Sequence, residues 1–477
     1  MAEDRRQLKF GYSVWPFGRH VSSWRLPEVP VDGEFNPIWY RRALQTAERG
    51  MIDYFFVGSQ LSSSVQPVAP GEPVDPAKTW ITETLIKPEA MSLTAFLAGA
   101  SEHIGIVPTV NSTYANPYDV AREAATIDHL SGGRFGVNIV MGRSDADARN
   151  HGTEHHLSNE DRFDRGDEFA EVLLELWDSW DDGWFVGDKE SAAFIDPTKV
   201  HRINHQGKFF SIEGPSNVPV SPQGRLPIVH AGTSERSFEW GARFADVRFI
   251  PFDGDQKAYY DDQKARAAKH GRDPEEYILM PGITFYPAET AAEARAIFRR
   301  VQDAAFKPFD GKRLAATLSI ELEDPDPAAK VVDVVDLEAL RAPDRRGGEA
   351  NQGFFHGAGL TNATGLQVIE RAFHGFGSED ITLADLDHFI QNGPLLQPPV
   401  VGDASFVADW IEENFEDRKL DGVVIMAPFM PWGLDAFVDL VVPELQRRDL
   451  MRKAWTTSTL REHFGLGPVK PAAVAQA

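Results

Sequence analysis

Cysteine is absent from the chain. That single absence excludes a disulfide framework, a thiolate zinc site, an iron–sulfur cluster and a cysteine nucleophile. Positive charge is scarce: 48 Lys and Arg stand against 72 Asp and Glu, a net charge of −24 with a pI near 5.0. Such a field repels nucleic acid and anionic membrane, so neither is expected as a partner. No apolar run approaches the ~20 residues of a membrane span, and the opening MAEDRRQLKF lacks the apolar core of a signal peptide. A cytoplasmic enzyme is the expectation. No G-x-G-x-x-G follows a strand-like run, so no nicotinamide-binding unit is expected either.

What is present reads as an ordinary soluble globular protein, with 42% hydrophobic and 25% charged residues. Short β-rich apolar runs alternate with amphipathic helical ones. Strands are predicted at Lys9–Val14, Asp53–Gly58, Ile104–Val110, Phe135–Met141, Pro227–Gly232, Val247–Phe252, Tyr277–Phe285 and Asp421–Ala427. Helices are predicted at Pro37–Arg49, Ser92–Glu102, Pro117–Leu130, Asp164–Trp180, Glu235–Ala245, Gln263–Gly271, Ala291–Ala304 and Gly433–Arg448. Eight βα units in order imply an α/β fold, a (β/α)8 TIM-type barrel rather than an open doubly wound sheet. Residues 1–477 read as one domain with two insertions, at about 181–222 and 305–420. The first holds a predicted hairpin near Phe209–Ile212. The second is expected to roof the active site, because βα loops stand at the C-terminal rim of a barrel.

Catalytic residues of such barrels lie at the C-terminal ends of strands. Those ends offer Trp15, Phe17 and His20; Gly58, Ser59 and Gln60; Asn111, Ser112 and Thr113; Asn138, Met141, Gly142 and Arg143; His230, Gly232, Thr233 and Ser234; and Met426, Pro428 and Phe429. The set is polar but hardly charged. It contains no carboxylate pair for hydrolysis and no three-ligand metal cluster, so no metal is expected. His151, His155 and His156 lie in a loop without Asp or Cys at ligand spacing. Amides, hydroxyls, aromatics and one Arg suit a flat, hydrogen-bonding ring with a phosphate tail, a cofactor that brings the chemistry itself.

The stretch SGGRFGVNIVMGRSDADARNHG at Ser131–Gly152 resembles the fourth-strand signature of the nitrilotriacetate and dibenzothiophene-sulfone monooxygenase branch of luciferase-like flavin enzymes. The likeness continues through WDSW at Trp177–Trp180, GPSNVPVSPQGRLPIVHAG at Gly214–Gly232, LDAFVDLVVPELQRR at Leu434–Arg448 and TLREHFGL at Thr459–Leu466. It spans nearly the whole chain apart from about 305–400. The resemblance implies a bacterial-luciferase-like barrel that binds FMN as FMNH2, supplied by a separate flavin reductase. With O2 it would oxygenate a small molecule through a flavin peroxide. Several positions depart from the usual pattern. Gly58 stands for an Asp, Met141-Gly142 for Thr-Ser, Phe163 for the Tyr beside the phosphate, and His230 for a Gln.

On this reading the catalytic candidates are Asn138, His20 and His230. The cofactor candidates are Gly58, Asn111, Ser112, Asn138, Gly142, Arg143, Phe163, Gly232, Thr233 and Ser234. Trp15, Phe17 and Phe429, with Phe354 and Phe355, point to an apolar, aromatic or heterocyclic substrate. Each has a plainer reading. Asn138 could be a satisfied core amide, Ser234 only a helix cap, and Arg143 a partner of Asp145. A homo-oligomer, dimer or tetramer, is expected. The alternative functions are a deazaflavin-dependent oxidoreductase on the same barrel, a flavin-free barrel hydrolase and a non-catalytic flavin-binding protein.

Overall fold

A computed structural model of the chain describes residues 6–63, 71, 86–252, 255–304, 309–322, 325–341, 365–391, 399–467 and 469. Within them the strands are β1 (Lys9–Ser13), β2 (Tyr54–Val57), β3 (Gly105–Asn111), β4 (Val137–Val140), β5 (Ile228–Ala231), β6 (Val247–Ile250), β7 (Ile278–Ala288), β8 (Pro399–Asp403) and β9 (Gly422–Met426), besides two small ladders. Every pairing from β1 through β7 is parallel and sequential, β7 then pairs with β9, and β9 returns to β1. The result is a closed eight-stranded parallel barrel with helices between the strands.

Period-two alternation sorts the strand residues into two cores. Phe10, Tyr12, Phe55, Ile106, Val137, Ile139, Ile228, Leu279, Ile283, Val423 and Ile425 point outward into the large core shared with the helices. Tyr54, Val107, Val229, Val247, Ile278, Met280, Val424 and Met426 point inward. Leu460, Phe464 and Leu466 from the C-terminal segment join this inner cluster and plug the N-terminal end of the barrel. Gly105 permits the plug: a Cβ there would lie 2.4 Å from Leu460 Cδ1.

The second insertion corrects the predicted element list. β7 is eleven residues long and wholly buried, where Tyr277–Phe285 was predicted. Its lower part belongs to the barrel, while Thr284–Ala288 pairs with β8, a ninth parallel strand outside the closed circle. The helix predicted for the seventh unit, here Ala291–Asp303, buries Ala294, Phe298 and Val301 in a separate core built by the insertion. The Ala404–Glu416 helix takes its place against the barrel, with Val407, Ala408, Ile411 and Phe415 in the large core. The run PVVGD of β8 is short and opens on proline, so it carries little strand signal. The last predicted helix is broken at Phe437–Val441 by a wider π-type turn, because Pro443 has no N–H to give the preceding turn. The first insertion contains two small antiparallel ladders, Phe185–Asp188 with Ala193–Ile195 and His205–Gln206 with Ser211–Ile212. The second lies where the hairpin was predicted.

Candidate active site

Above the apolar inner layer, the same parity brings polar side chains into the barrel. Thr109 of β3 and Asn138 of β4 are register partners, and Asn138 Nδ2 donates to Thr109 Oγ1 at 2.9 Å. Asn138 is 2% exposed, yet its Oδ1 has no partner among the described residues; Thr284 Oγ1 on β7 is in the same position. A buried polar atom left unpaired costs ~1–3 kcal/mol. Two of them on strands that ring one space mark where a hydrogen-bonding ligand belongs.

At the β3 and β4 ends the backbone is tightly tied. Ser112 N donates to Val140 O at 2.8 Å, Thr113 Oγ1 to Met141 O at 2.6 Å, and Thr113 N to Asn111 Oδ1 at 3.0 Å. Gly142 has φ +63, and a Cβ there would meet Asn111 Nδ2 at 2.4 Å, so Asn111 and Gly142 form one close-packed corner. Arg162 reaches the same corner and donates to Gly142 O. Arg143 is exposed beside it, and the Arg162 pKa is lowered first by burial and then by Arg143. Asp145 bonds instead with His156 N at 2.9 Å and His155 Nδ1 at 3.2 Å. Phe163 is buried in the large core, with Arg162 and Arg236 over its ring at 5.3 and 5.8 Å.

After β5, Thr233 is exposed and Ser234 caps the Glu235–Phe244 helix, its Oγ accepting from Ser237 N at 3.3 Å. His230 lies elsewhere. It alternates with inward Val229 and so points outward, 1% exposed, with Nδ1 2.7 Å from Ile139 O and Nε2 2.8 Å from Ser237 Oγ. Burial and then the neighbouring Arg248 push it down to about 3. It is a neutral, doubly engaged ring behind the mouth.

His20 and two of the three aromatics are engaged by the helix after β7 and the insertion core. His20 is 6% exposed, its Nε2 3.2 Å from Gln302 Oε1 of the Ala291–Asp303 helix, and its Nδ1 accepts from Ser22 N. Phe17 and Phe429 are buried in the insertion core, Phe429 stacked on Trp432 at 4.9 Å. Phe354 and Phe355 lie outside the described residues. Trp15 packs against the inner cluster, with Lys87 Nζ 3.8 Å and Arg19 Cζ 4.4 Å from its ring. Lys87 Nζ is 3.3 Å from where a Gly58 side chain would begin. Beside it Glu34 is 8% exposed; burial pushes its carboxyl up to about 7 against the pull of Lys87. Glu34 and Lys87 carried no sequence signal, since each is a lone charge outside the predicted strands and helices. His151 stacks on Tyr114 at 4.1 Å, and among the described residues no three His, Asp or Glu side chains gather as a metal site would need. No helix among them is long and apolar enough to cross a membrane.

The luciferase-like monooxygenase family model matches residues 77–361. The chain belongs to the luciferase-like monooxygenase family. It is 33% identical to N-acetyl-S-(2-succino)cysteine monooxygenase of Bacillus subtilis (strain 168), covering 98% of each chain. It is equally 33% identical to nitrilotriacetate monooxygenase component A of Aminobacter aminovorans, again over 98% of each. Among solved structures, EDTA monooxygenase from Chelativorans sp. BNC1 superposes with a TM-score of 0.74 at 26% identity, covering 97% of this chain and 99% of that one. An F420-dependent secondary alcohol dehydrogenase shares the fold alone, at 12% identity and a TM-score of 0.52 over 91% of this chain and 98% of that one. The monooxygenase reading therefore stands over the deazaflavin and hydrolase alternatives, and the enzyme oxygenates a small molecule.

Proposed function

We propose that this monooxygenase is the oxygenating component of a two-component system. It would use FMN, reduced by a separate flavin reductase, together with O2. The observation that carries the cofactor assignment is the buried Asn138 amide with an unfilled acceptor, in a ring of inward polar side chains at the C-terminal end of the barrel. An isoalloxazine offers both N–H donors and carbonyl acceptors, so it fits atoms that the protein leaves unpaired. Asn138, Thr109 and Thr284 would hold the ring. The Gly232–Thr233–Ser234 turn, with Arg143 and Arg162 across the mouth, would hold the phosphate through hydroxyls, backbone N–H groups and charge. Reduced flavin supplies the electrons that activate oxygen, while the protein orients the ring and excludes water.

Trp15 is the aromatic candidate left at the mouth, and it favours a small substrate with a flat or apolar body. Lys87 and Arg19 on its ring add positive charge that the composition did not foretell. We read the chain as one cytoplasmic barrel domain that assembles as a dimer or tetramer. Anaerobic titration tests the scheme: reduced FMN should bind more tightly than oxidised FMN, and equal or reversed affinities would count against it. A substrate panel with FMN, NADH and a generic flavin reductase, read by mass spectrometry for added oxygen, then identifies the substrate.

A further inference from the structure

The interior of β6 holds a cation that the site as described does not use. Arg248 alternates with Val247, which faces the inner core, so it points outward under the Glu235–Phe244 helix and is 0% exposed. Nη1 donates to Ser237 O at 2.8 Å. Nη2 donates to Gly232 O at 2.6 Å and to Ser237 Oγ at 3.4 Å, and Nε to Tyr259 OH at 3.3 Å. Every one of these partners is a carbonyl or a hydroxyl. Burying a guanidinium without a carboxylate is unfavourable, because neutral dipoles replace only part of its hydration.

A second buried arginine shows what compensation looks like. Arg134, 5% exposed, also bonds mostly to carbonyls, but these are Ala98 O, Ser101 O and Ile104 O beyond the C-terminus of the Ala90–Ala98 helix. A helix C-terminus is the negative end of the helix dipole and favours a cation. Burial lowers its proton affinity, and Glu48, Asp128 and Glu102 lie close enough to offset part of that loss. Among the described residues Arg248 bonds no carboxylate, although its Cζ lies 5.0 Å from the Phe238 ring. It sits against Ser237 in the first turn of its helix, the positive end, where the dipole opposes it. The neighbouring imidazole of His230 is held neutral first by burial and then by Arg248 itself.

Two like-signed features thus converge beneath the Gly232–Ser234 turn, and among the described residues no carboxylate is paired with Arg248. The local geometry is also committed. His230 Nδ1 faces the acceptor Ile139 O, so it carries the proton, and Nε2 accepts from the Ser237 hydroxyl. Ser237 Oγ then presents its lone pairs to Arg248. Gly232, with φ +151, is required here, because a Cβ would lie 2.3 Å from Ser237 Oγ. Arg248 therefore clamps Gly232 O and Ser237 O from below, which fixes the turn between them.

We propose that Arg248 is the positioning residue and built-in counter-charge for a phosphomonoester dianion bound on the Gly232–Thr233–Ser234 turn, and that it sets the preference for FMN over riboflavin. The inference rests on the flavin reading above and is tested by affinity rather than turnover. FMN and riboflavin are titrated anaerobically, in reduced form, into the full-length wild type and into Arg248→Gln and Arg248→Lys. The wild type should favour FMN. Arg248→Gln should lose about tenfold in FMN affinity, the scale of one partly buried charge acting on an anion at a helix end. Riboflavin affinity should stay unchanged, and Arg248→Lys should recover most of the loss. Tyr259→Glu, which hands Arg248 a carboxylate while leaving it in place, should give the same selective loss and serves if the Gln variant does not fold. A wild type with no preference for FMN defeats the phosphate reading itself. A wild type that prefers FMN, with variants that keep that preference or weaken both flavins equally, defeats the role of Arg248 alone.

Discussion

The two ends of the barrel are built from the same strands and obey opposite rules. At the N-terminal end the inward residues are apolar, and Leu460 and Phe464 close them off from solvent. Several polar groups there are paired: Asp53 takes the Phe10 N–H at 2.7 Å and the Arg452 guanidinium, and His463 Nε2 lies 2.9 Å from His103 O. At the C-terminal end Asn138 Oδ1 and Thr284 Oγ1 are left without partners, and Glu34 is held close to neutrality. The contrast teaches that, of the inward strand side chains, those at the mouth keep hydrogen-bonding capacity that a ligand can satisfy. Stability is invested in the opposite end.

The comparison breaks most visibly at Asn138. Asn138→Leu keeps the side-chain volume and removes the only inward amide on β4, so coupled oxygenation should fall by ~10²–10³. The variant should still fold and bind FMN, and oxygen consumption should yield hydrogen peroxide instead of product. Retention of full coupling would return Asn138 to the core. The matching experiment at the other end is Leu460→Ala. This side chain is fully buried against Gly105 and Gly136, and its truncation should cost ~2–5 kcal/mol in urea unfolding while leaving flavin affinity intact. A loss of flavin binding that tracks the loss of stability would mean that the two ends are not separable.

The barrel was legible because period two and the βα rhythm are local signals. All eight barrel strands were predicted within a few residues of where they lie. β8 and the exchange of helices around β7 were not, because they depend on the length of β7 and on a partner more than a hundred residues downstream. The site was legible in part. Positions at strand ends were found, but strand ends carry two faces. Asn138 shares its face with Thr109, whereas His230 falls on the opposite parity from Val229 and is turned toward Trp240 at 4.5 Å. Phe17 and Phe429 were drawn away by a core that only the insertion creates. Glu34, Lys87 and Arg248 are single charges whose meaning comes from what surrounds them, and no pattern in the chain announces that.

A smaller effect is expected at the phosphate turn. Ser234→Ala should raise the Kd for FMN about five- to fifty-fold, the loss of one or two hydrogen bonds to a charged group. The lost cap on Ser237 N should cost only ~1 kcal/mol of stability. Isothermal titration and thermal melts on the same samples separate these. A lower melting temperature with unchanged FMN affinity would make Ser234 a cap and nothing more.

The most discriminating effect concerns Glu34. Burial raises its carboxyl to about 7 in the folded protein, above the ordinary 4.5, with Lys87 pulling the other way. A raised acid prefers its neutral form when folded, so its contribution to stability is fully present below pH 4.5. Between 4.5 and 7 the unfolded chain releases the proton and the folded one keeps it, so stability declines by at most about 1.4 kcal/mol per pH unit. Above 7 both states are ionised and the contribution is gone. Glu34→Gln cannot titrate, so its stability should match the wild type near pH 4.5 and exceed it at pH 8, with the difference opening between them. Urea melts at pH 4.5, 6 and 8 measure that divergence. The paired Leu460→Ala variant should run parallel to the wild type across the same range, since no titrating group was changed. Parallel curves for Glu34→Gln as well would show that the carboxyl ionises normally, and that the mouth is no more strained than the sealed end.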